Sequence, residues 1–449
     1  MIQQIFSYAE IVIKISPSRS TTSSPRQFSG SGSPSKESKR TYDALIYSKF
    51  PVPQLTVPER TPVGQPNEIS GLPLIGRERI TVRWSRYQEY LAAFVEGDKA
   101  PYLMRERLLE VMPGWLESLF TQPFQSSQPV RVWWASDTPE LEDLPWELLT
   151  YGSANQPAAR LAFVRGLPPE TPVPILPIGD RLRLAFIHDP SFTPPALLNA
   201  IHNLSSQNIE VVDLPEFPRK GLERVVQEGF ELVHIVADGI VSSAYEGVLY
   251  FHGGRSTSPE ISPGELSAIL RGSRVSVLSL TAQKYSNPDT MTIAGVVVPS
   301  AYRAFAYLGS SRLLLPSIVT PLGPLQDHQV DSFWSTFYNT VAETLSLQKG
   351  MLSGRATGGP MPIALFLRHP YEVLFRRRGP AAAPDEADPS QIGAALQLSH
   401  ELVAQLKAHN EAYGSLPESV NKFIESESIR QQGLATALDP WLKLEQGES

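Results

Sequence analysis

Three polar residues at or near the ends of two apolar runs are the positions in this chain best placed to do chemistry: His234, Asp238 and Thr281. The first run, Glu231-Leu-Val-His-Ile-Val-Ala-Asp-Gly239, has the length of a strand and ends on a glycine that reads as a turn. The second, Arg274-Val-Ser-Val-Leu-Ser-Leu-Thr-Ala282, is of the same kind. Were the two ends brought together, a hydroxyl and a proton acceptor could serve hydrolysis by an activated nucleophile. The chemistry is poorly served by these residue types. A threonine hydroxyl is far less acidic than a thiol and needs a strong base, whereas an aspartate with a reference pKa of about 3.9 is a weak one. His234 and Asp238 are four apart, but on a strand they are not the i, i+4 pair that binds metal from one helix face, and they make no metal site by themselves. No cofactor and no metal is expected.

Other motifs are weaker. His252-Gly253 follows the short strand Gly247-Val-Leu-Tyr-Phe251 and reads as a solvent-exposed loop. His188-Asp189 closes another strand, at the carboxyl edge where ligands of parallel sheets gather, and is read as a plain strand exit. Gly30-Ser-Gly-Ser-Pro-Ser-Lys36 lacks the spacing of a phosphate loop and holds a proline. Arg376-Arg-Arg378 has no aromatic partners for nucleic acid and reads as a solvated edge. The tryptophans Trp133, Trp134 and Trp146 and the group Phe333, Trp334, Phe337 and Tyr338 read as core packing.

Composition narrows the field further. The chain has no cysteine, which excludes disulfides, thiolate metal sites and a thiol nucleophile. A formal net charge of −7 gives no general attraction to nucleic acid or anionic lipid. No apolar run approaches the ~20 residues of a membrane-spanning helix. Met1 to Ile13 contains Glu10 and lacks a basic head and a small-residue cleavage site, so a secretory leader is not expected and a cytoplasmic location is.

The elements that must position these residues follow from periodicity. Residues 1–71 read as a disordered Pro/Ser-rich arm, since the stretch from about Ser16 to Pro66 has too few large apolar groups to offset its chain entropy. Residues 72–128 read as a helical segment, with apolar residues at helical spacing between Tyr87 and Phe120. Residues 129–378 alternate strands with helices. The strands are Val130–Ala135, Ala158–Val164, Arg181–His188, Ile209–Leu214, Glu231–Ala237, Gly247–Phe251, Val275–Leu280, Arg312–Pro316 and Pro362–Leu367. Helices are expected at Ala196–Leu204, Lys220–Glu228, Pro263–Leu270, Met291–Leu308 and His328–Leu347. Near-continuous apolar strands alternating with helices imply a parallel α/β sheet covered on both faces. Gly350 to Pro360 reads as a flexible connection. Residues 379–390 read as a linker and 391–449 as a helical tail.

The ordered set of segments resembles the CHAT domain, a caspase- and separase-like module. The matching pieces are Leu144-Pro-Trp-Glu-Leu-Leu149, Leu161-Ala-Phe-Val-Arg165, Leu232-Val-His-Ile-Val-Ala-Asp-Gly239, Gly247-Val-Leu-Tyr-Phe251, Val277-Leu-Ser-Leu-Thr281 and Asp331-Ser-Phe-Trp-Ser-Thr-Phe-Tyr338. The resemblance covers roughly residues 129 to 370. It implies a caspase-like doubly wound fold, mostly parallel, with helices on both faces. It places Asp238 where the family's catalytic histidine stands and Thr281 where its cysteine stands. His234 matches a supporting histidine and Gly239 the turn after the catalytic histidine. A degenerate member without a working dyad is therefore expected, with no catalytic residue. It implies a protein or peptide partner, such as an active paralogue or complex subunit, and neither nucleic acid nor membrane. The other reading of the same edge is a hydrolase built on Asp238, Thr281 and His234.

Overall fold

The β-branched and aromatic runs of the sequence become the strands of one large sheet. The computed structural model describes residues 9–18, 39–49, 68–83, 130–136, 139–142, 144–151, 161–168, 175–204, 208–215, 218–241, 247–251, 260–281, 292–293, 296–297, 301–311, 313, 315–322, 327–359, 361–368 and 373–377, with scattered positions at 105, 106, 108, 400, 403, 404, 407, 424, 428, 431 and 432. The strands are β1 (Ala9–Pro17), β2 (Lys39–Ser48), β3 (Glu68–Ile69), β4 (Leu72–Arg83), β5 (Val130–Ser136), β6 (Leu161–Arg165), β7 (Leu176–Ile178), β8 (Leu182–Ile187), β9 (Ile209–Leu214) and β10 (Leu232–Val236). They continue with β11 (Asp238–Val241), β12 (Gly247–Tyr250), β13 (Glu260–Ile261), β14 (Val277–Thr281), β15 (Thr292–Ile293), β16 (Val296–Val297), β17 (Ser317–Pro321), β18 (Ile363–Phe366) and β19 (Phe375–Arg377). The helices are α1 (Pro139–Glu142), α2 (Pro195–His202), α3 (Pro218–Glu228), α4 (Pro263–Leu270), α5 (Ala301–Ser311), α6 (Asp327–Thr344) and α7 (Leu347–Gly358), with a 3-10 turn at Trp146–Thr150.

Among the described residues twelve strands form the main sheet, in the order β3-β4-β2-β1-β5-β6-β18-β17-β14-β10-β8-β9. The β1-β5-β6-β18 and β17-β14-β10-β8-β9 runs are parallel, while β17-β18 and β1-β2-β4-β3 pair antiparallel. The fold is thus mixed α/β on a mostly parallel sheet. Strand alternation sorts side chains into two layers. Leu184 and Phe186 of β8, with Leu232 and Val236 of β10, share a core with α2, α6 and α7. Ala185, Ile187, Val233 and Ile235 share the opposite core with α3, α4 and α5. Helices on both faces explain why β10 and β14 are buried along their whole length.

Several expectations need correction. Residues 9–17 and 39–48 are strands of the main sheet, not parts of a disordered arm. Ile11, Val12, Ile13 and Ile15, and Tyr42 to Tyr47, are short apolar runs on either side of a serine-rich stretch whose composition masks them. Residues 19–38 and 50–67 lie outside the described residues. Leu72–Arg83 is also a strand, so the sheet crosses the domain boundary expected at residue 129. Of the helices expected between Tyr87 and Phe120, positions 105, 106 and 108 are described and helical. The Met291–Leu308 helix is replaced by the β15-β16 pair and α5, which starts at Ala301. The strand expected at Arg312–Pro316 lies at Ser317–Pro321, because β17 must match β14 in the register Val277↔Ser317. Most of the linker and helical tail falls outside the described residues.

The expected loop at Gly350–Pro360 is helix α7, and its glycines explain both the miss and the packing. Gly350, Gly354 and Gly358 recur every four residues, on one helix face. A Cβ at 354 would lie 2.8 Å from two ring carbons of Phe333 and 3.2 Å from its carbonyl oxygen, and one at 350 would lie 2.5 Å from Val341. Hydrogen in place of a side chain lets α7 lie directly against α6. Gly354→Ala is expected to destabilise the protein. Helix propensity rises by about 1 kcal/mol, but overpacking against a ring and a backbone carbonyl costs about 1–3 kcal/mol. A urea midpoint that rises would refute the close approach.

Candidate functional site

Strands β10 and β14 are parallel neighbours in the register Val236↔Thr281, and the Ala237 N–H donates to the Thr281 carbonyl at 3.0 Å. The two candidate positions are therefore brought together at one carboxyl edge, which β8 shares through Ile235↔Ile187. The burial of the two residues differs there. Thr281 lies on the strand face of Val277 and Ser279, towards α6, and has no exposed surface. Asp238 is half-buried and opens β11, which turns away to pair with β12 in a separate three-stranded sheet. Gly239 is paired with Leu249 within that strand, so the turn expected at Gly239 is a one-residue break at Ala237 instead.

His234 is what Thr281 faces. Its Nε2 lies 2.8 Å from the Thr281 Oγ1, and its Nδ1 lies 2.9 Å from the Tyr338 hydroxyl on α6. The ring is enclosed by Phe186 edge-on at 5.6 Å and Trp334 at 4.6 Å. Burial, with a smaller push from His188, pulls the His234 pKa down to about 3, so the imidazole is neutral at physiological pH. Burial likewise pushes the Tyr338 phenol far above its usual range. A neutral imidazole has one donor and one acceptor nitrogen, and both are used by the two hydroxyls. The result is a closed Tyr338–His234–Thr281 chain of hydrogen bonds under the sheet. The aromatic group on α6 was expected as core and is core; the phenol's polar role was missed. Its one sequence signal is a tyrosine closing a stripe of otherwise apolar rings.

A second polar group on this edge was read only as a strand exit. His188 is buried, with Nε2 at 2.5 Å from Asp213 Oδ1 and Nδ1 at 3.1 Å from Thr193 Oγ1. Asp213 Oδ2 lies 3.3 Å from Nε2 of His202 on α2. Burial lowers the His188 pKa, and Asp213 opposes that fall. The arrangement resembles a hydroxyl, imidazole and carboxylate relay, but its exposure is inverted. Thr193 is buried and donates to the Asp189 carbonyl at 2.7 Å, while Asp213 is 41% exposed. The group clasps β9 and α2 to β8. No alternating or helical pattern links three positions on three elements, so the sequence did not reveal it.

The Leu144–Leu149 motif serves structure. Glu147 has no exposed surface and accepts from Arg165 Nε at 2.7 Å and Nη2 at 2.8 Å. Arg165 also donates to the carbonyls of Glu142 and Leu144 at 2.8 and 2.6 Å. Burial opposes the Arg165 charge, and Glu147 with Glu142 more than restores it. Among the described residues no group of three or more His, Asp or Glu side chains is arranged to hold a metal ion, and no helix is long and apolar enough to cross a membrane. His252 and Gly253 lie outside the described residues. Arg376 and Arg377 are exposed, as expected of an edge.

No protein-family model and no curated protein sequence matches the chain. Among solved structures it is similar to the Arg-specific cysteine proteinase gingipain R at 11% identity and a TM-score of 0.37, over 59% of this chain and 69% of the other. A second likeness is to the complex of the pro- and mature domains of RgpB from Porphyromonas gingivalis, at 11% identity and a TM-score of 0.36, over 64% and 78% of the two chains. Likenesses of this order assign neither an activity nor a residue role to this chain.

Proposed function

We propose that this chain is a catalytically inactive, CHAT-like member of the caspase-like α/β proteins and acts as a protein-interaction or regulatory subunit, for example beside an active paralogue in a bacterial defence or signalling system. One observation carries the inactive part. The hydroxyl at the expected nucleophile position is fully buried and bonded to a neutral, enclosed imidazole. Attack on a peptide carbonyl requires the reacting atoms to come within ~3–3.5 Å, and no substrate reaches Thr281 while that bond and the packing around it persist. The hydrolase reading needs Asp238, His234 and Thr281 to converge on substrate, whereas His234 points its nitrogens at Thr281 and Tyr338 beneath the sheet. The interaction part rests on the resemblance and on β9, which ends the sheet among the described residues and offers an edge that a partner strand would extend.

The purified chain is expected to cleave no member of a mixed peptide library. Asp238→Ala/Thr281→Ala should capture the same partners from a tagged co-purification as the parent. Asp238→His/Thr281→Cys should fold and remain inactive, because residue 281 faces inward whatever its chemistry. Cleavage by the parent that disappears in the double-alanine protein, with its partners retained and its fold intact by circular dichroism, would establish the hydrolase instead.

A further inference from the structure

Strand β1 is inserted between β2 and β5. It pairs antiparallel with β2 from Ile11↔Ser48 to Pro17↔Tyr42 and parallel with β5 from Ala9↔Val130 to Ile15↔Ser136. Among the described residues it is the strand that joins the β2-β3-β4 ribbon to the body of the sheet. Ile11, Ile13 and Ile15 enter one core and Val12 the other, so the segment is held from both faces as well as both edges.

The slot also carries a charge that reads its occupant. Arg131 is 1% exposed and donates to Glu10 Oε1 at 2.8 Å. With its amide turned to satisfy both partners, Gln348 accepts from Arg131 at 2.9 and 3.2 Å. Ser48 donates to the Glu10 carbonyl at 3.1 Å. A guanidinium this enclosed is costly without a carboxylate, so the slot selects an acidic residue next to alternating β-branched ones. None of the β1 pairing partners lies in the 19–38 connection that follows. Residues 19–38 are rich in serine, and the strand ends that flank them meet directly, with the Ser18 N–H donating to the Thr41 carbonyl at 3.2 Å.

We propose that the gap between β2 and β5 is a peptide-binding groove that takes Ala9–Pro17 either from its own chain or, by strand exchange, from a second copy, with Arg131 recognising Glu10. The tether gives the resident segment a high effective concentration, so exchange is favoured at high protein concentration or once the connection is cut. This occupancy is independent of any chemistry at the carboxyl edge.

The test uses the full chain carrying a specific protease site within residues 19–38 and a fluorophore near the N-terminus. After cleavage the label is expected to co-elute with the body. It should then be displaced by excess synthetic Ala9–Pro17 peptide, and pass to an unlabelled cleaved copy on mixing. A Glu10→Gln peptide should require at least tenfold more for the same displacement. Immediate release of the label would overturn the groove, as would a retained label that neither the peptide nor the second copy displaces. Equal competition by the Glu10→Gln peptide would remove Arg131 from its role. If the cleaved chain aggregates, prevention by added peptide supports the groove, and failure of the peptide to prevent it counts against it.

Discussion

Glu147→Ala is expected to lower stability by about 3–5 kcal/mol, the usual cost of removing one partner of a buried ion pair. Arg165 cannot move to water, since its guanidinium has no exposed surface and is bracketed by Glu147, Glu142 and two carbonyls. Losing Glu147 removes two short charge-assisted bonds and leaves the cation with Glu142, whose own carboxyl burial pushes upward in pKa. A loss of this size is comparable to the whole stability of many domains, so the variant is expected to be soluble only at low temperature, if at all. Glu147→Leu/Glu142→Leu/Arg165→Met, which removes all three charges, should recover part of the loss, because apolar groups of similar volume carry no desolvation cost, while the Glu142 and Leu144 carbonyls still lose their donor. Urea unfolding of the parent and both variants distinguishes the cases. A single variant within 1 kcal/mol of the parent, on the order of experimental error for such comparisons, would mean that the pair is not buried in solution.

Acidification is expected to destabilise the protein through His234. Its folded-state pKa is depressed to about 3, below an unfolded value of about 6.5. Below pH 6.5 the unfolded chain therefore binds a proton that the folded chain does not. Stability due to this group is present above pH 6.5, falls as pH drops through the interval between the two values, and is lost below about 3. At ~1.4 kcal/mol per pKa unit the full interval is worth up to roughly 5 kcal/mol, and lowering pH from 7 to 4 costs about 3 kcal/mol. Comparing the parent with His234→Gln, which keeps polar contacts to Thr281 and Tyr338 without titrating, isolates the effect. The variant should be less stable at pH 7, and its stability should vary less between pH 7 and 4. Equal pH slopes in the two proteins would show that His234 is solvated in the native state.

The candidate site was half legible. The runs ending near Asp238 and Thr281 announce buried strands, because a strand covered on both faces needs apolar residues at nearly every position. Their adjacency was expected and is observed. The imidazole's partners were not legible, since Tyr338 is 104 residues from His234 and Thr281 is 47, and no local period connects them. Helix α7 was missed because glycine disfavours helices in isolation, and only the approach of α6 reveals why three glycines stand on one face. Strands β1 and β2 were missed because their apolar residues sit beside a serine-rich stretch, and their pairing with each other, β5 and β4 joins segments far apart in sequence.

The amino-acid sequence by itself determined that no thiol chemistry is possible here and that strands and helices alternate around a mostly parallel sheet. Both follow from residue inventory and from periods of two and 3.6, which covalent geometry imposes within a segment. Only the tertiary structure decided that residue 281 faces a closed hydrogen-bonded chain rather than a substrate, that Glu147 neutralises Arg165, and that residues 9–17 complete the sheet. Those outcomes depend on which distant segments share a buried layer, where burial turns an ordinary imidazole, hydroxyl or guanidinium into a group that must find a partner.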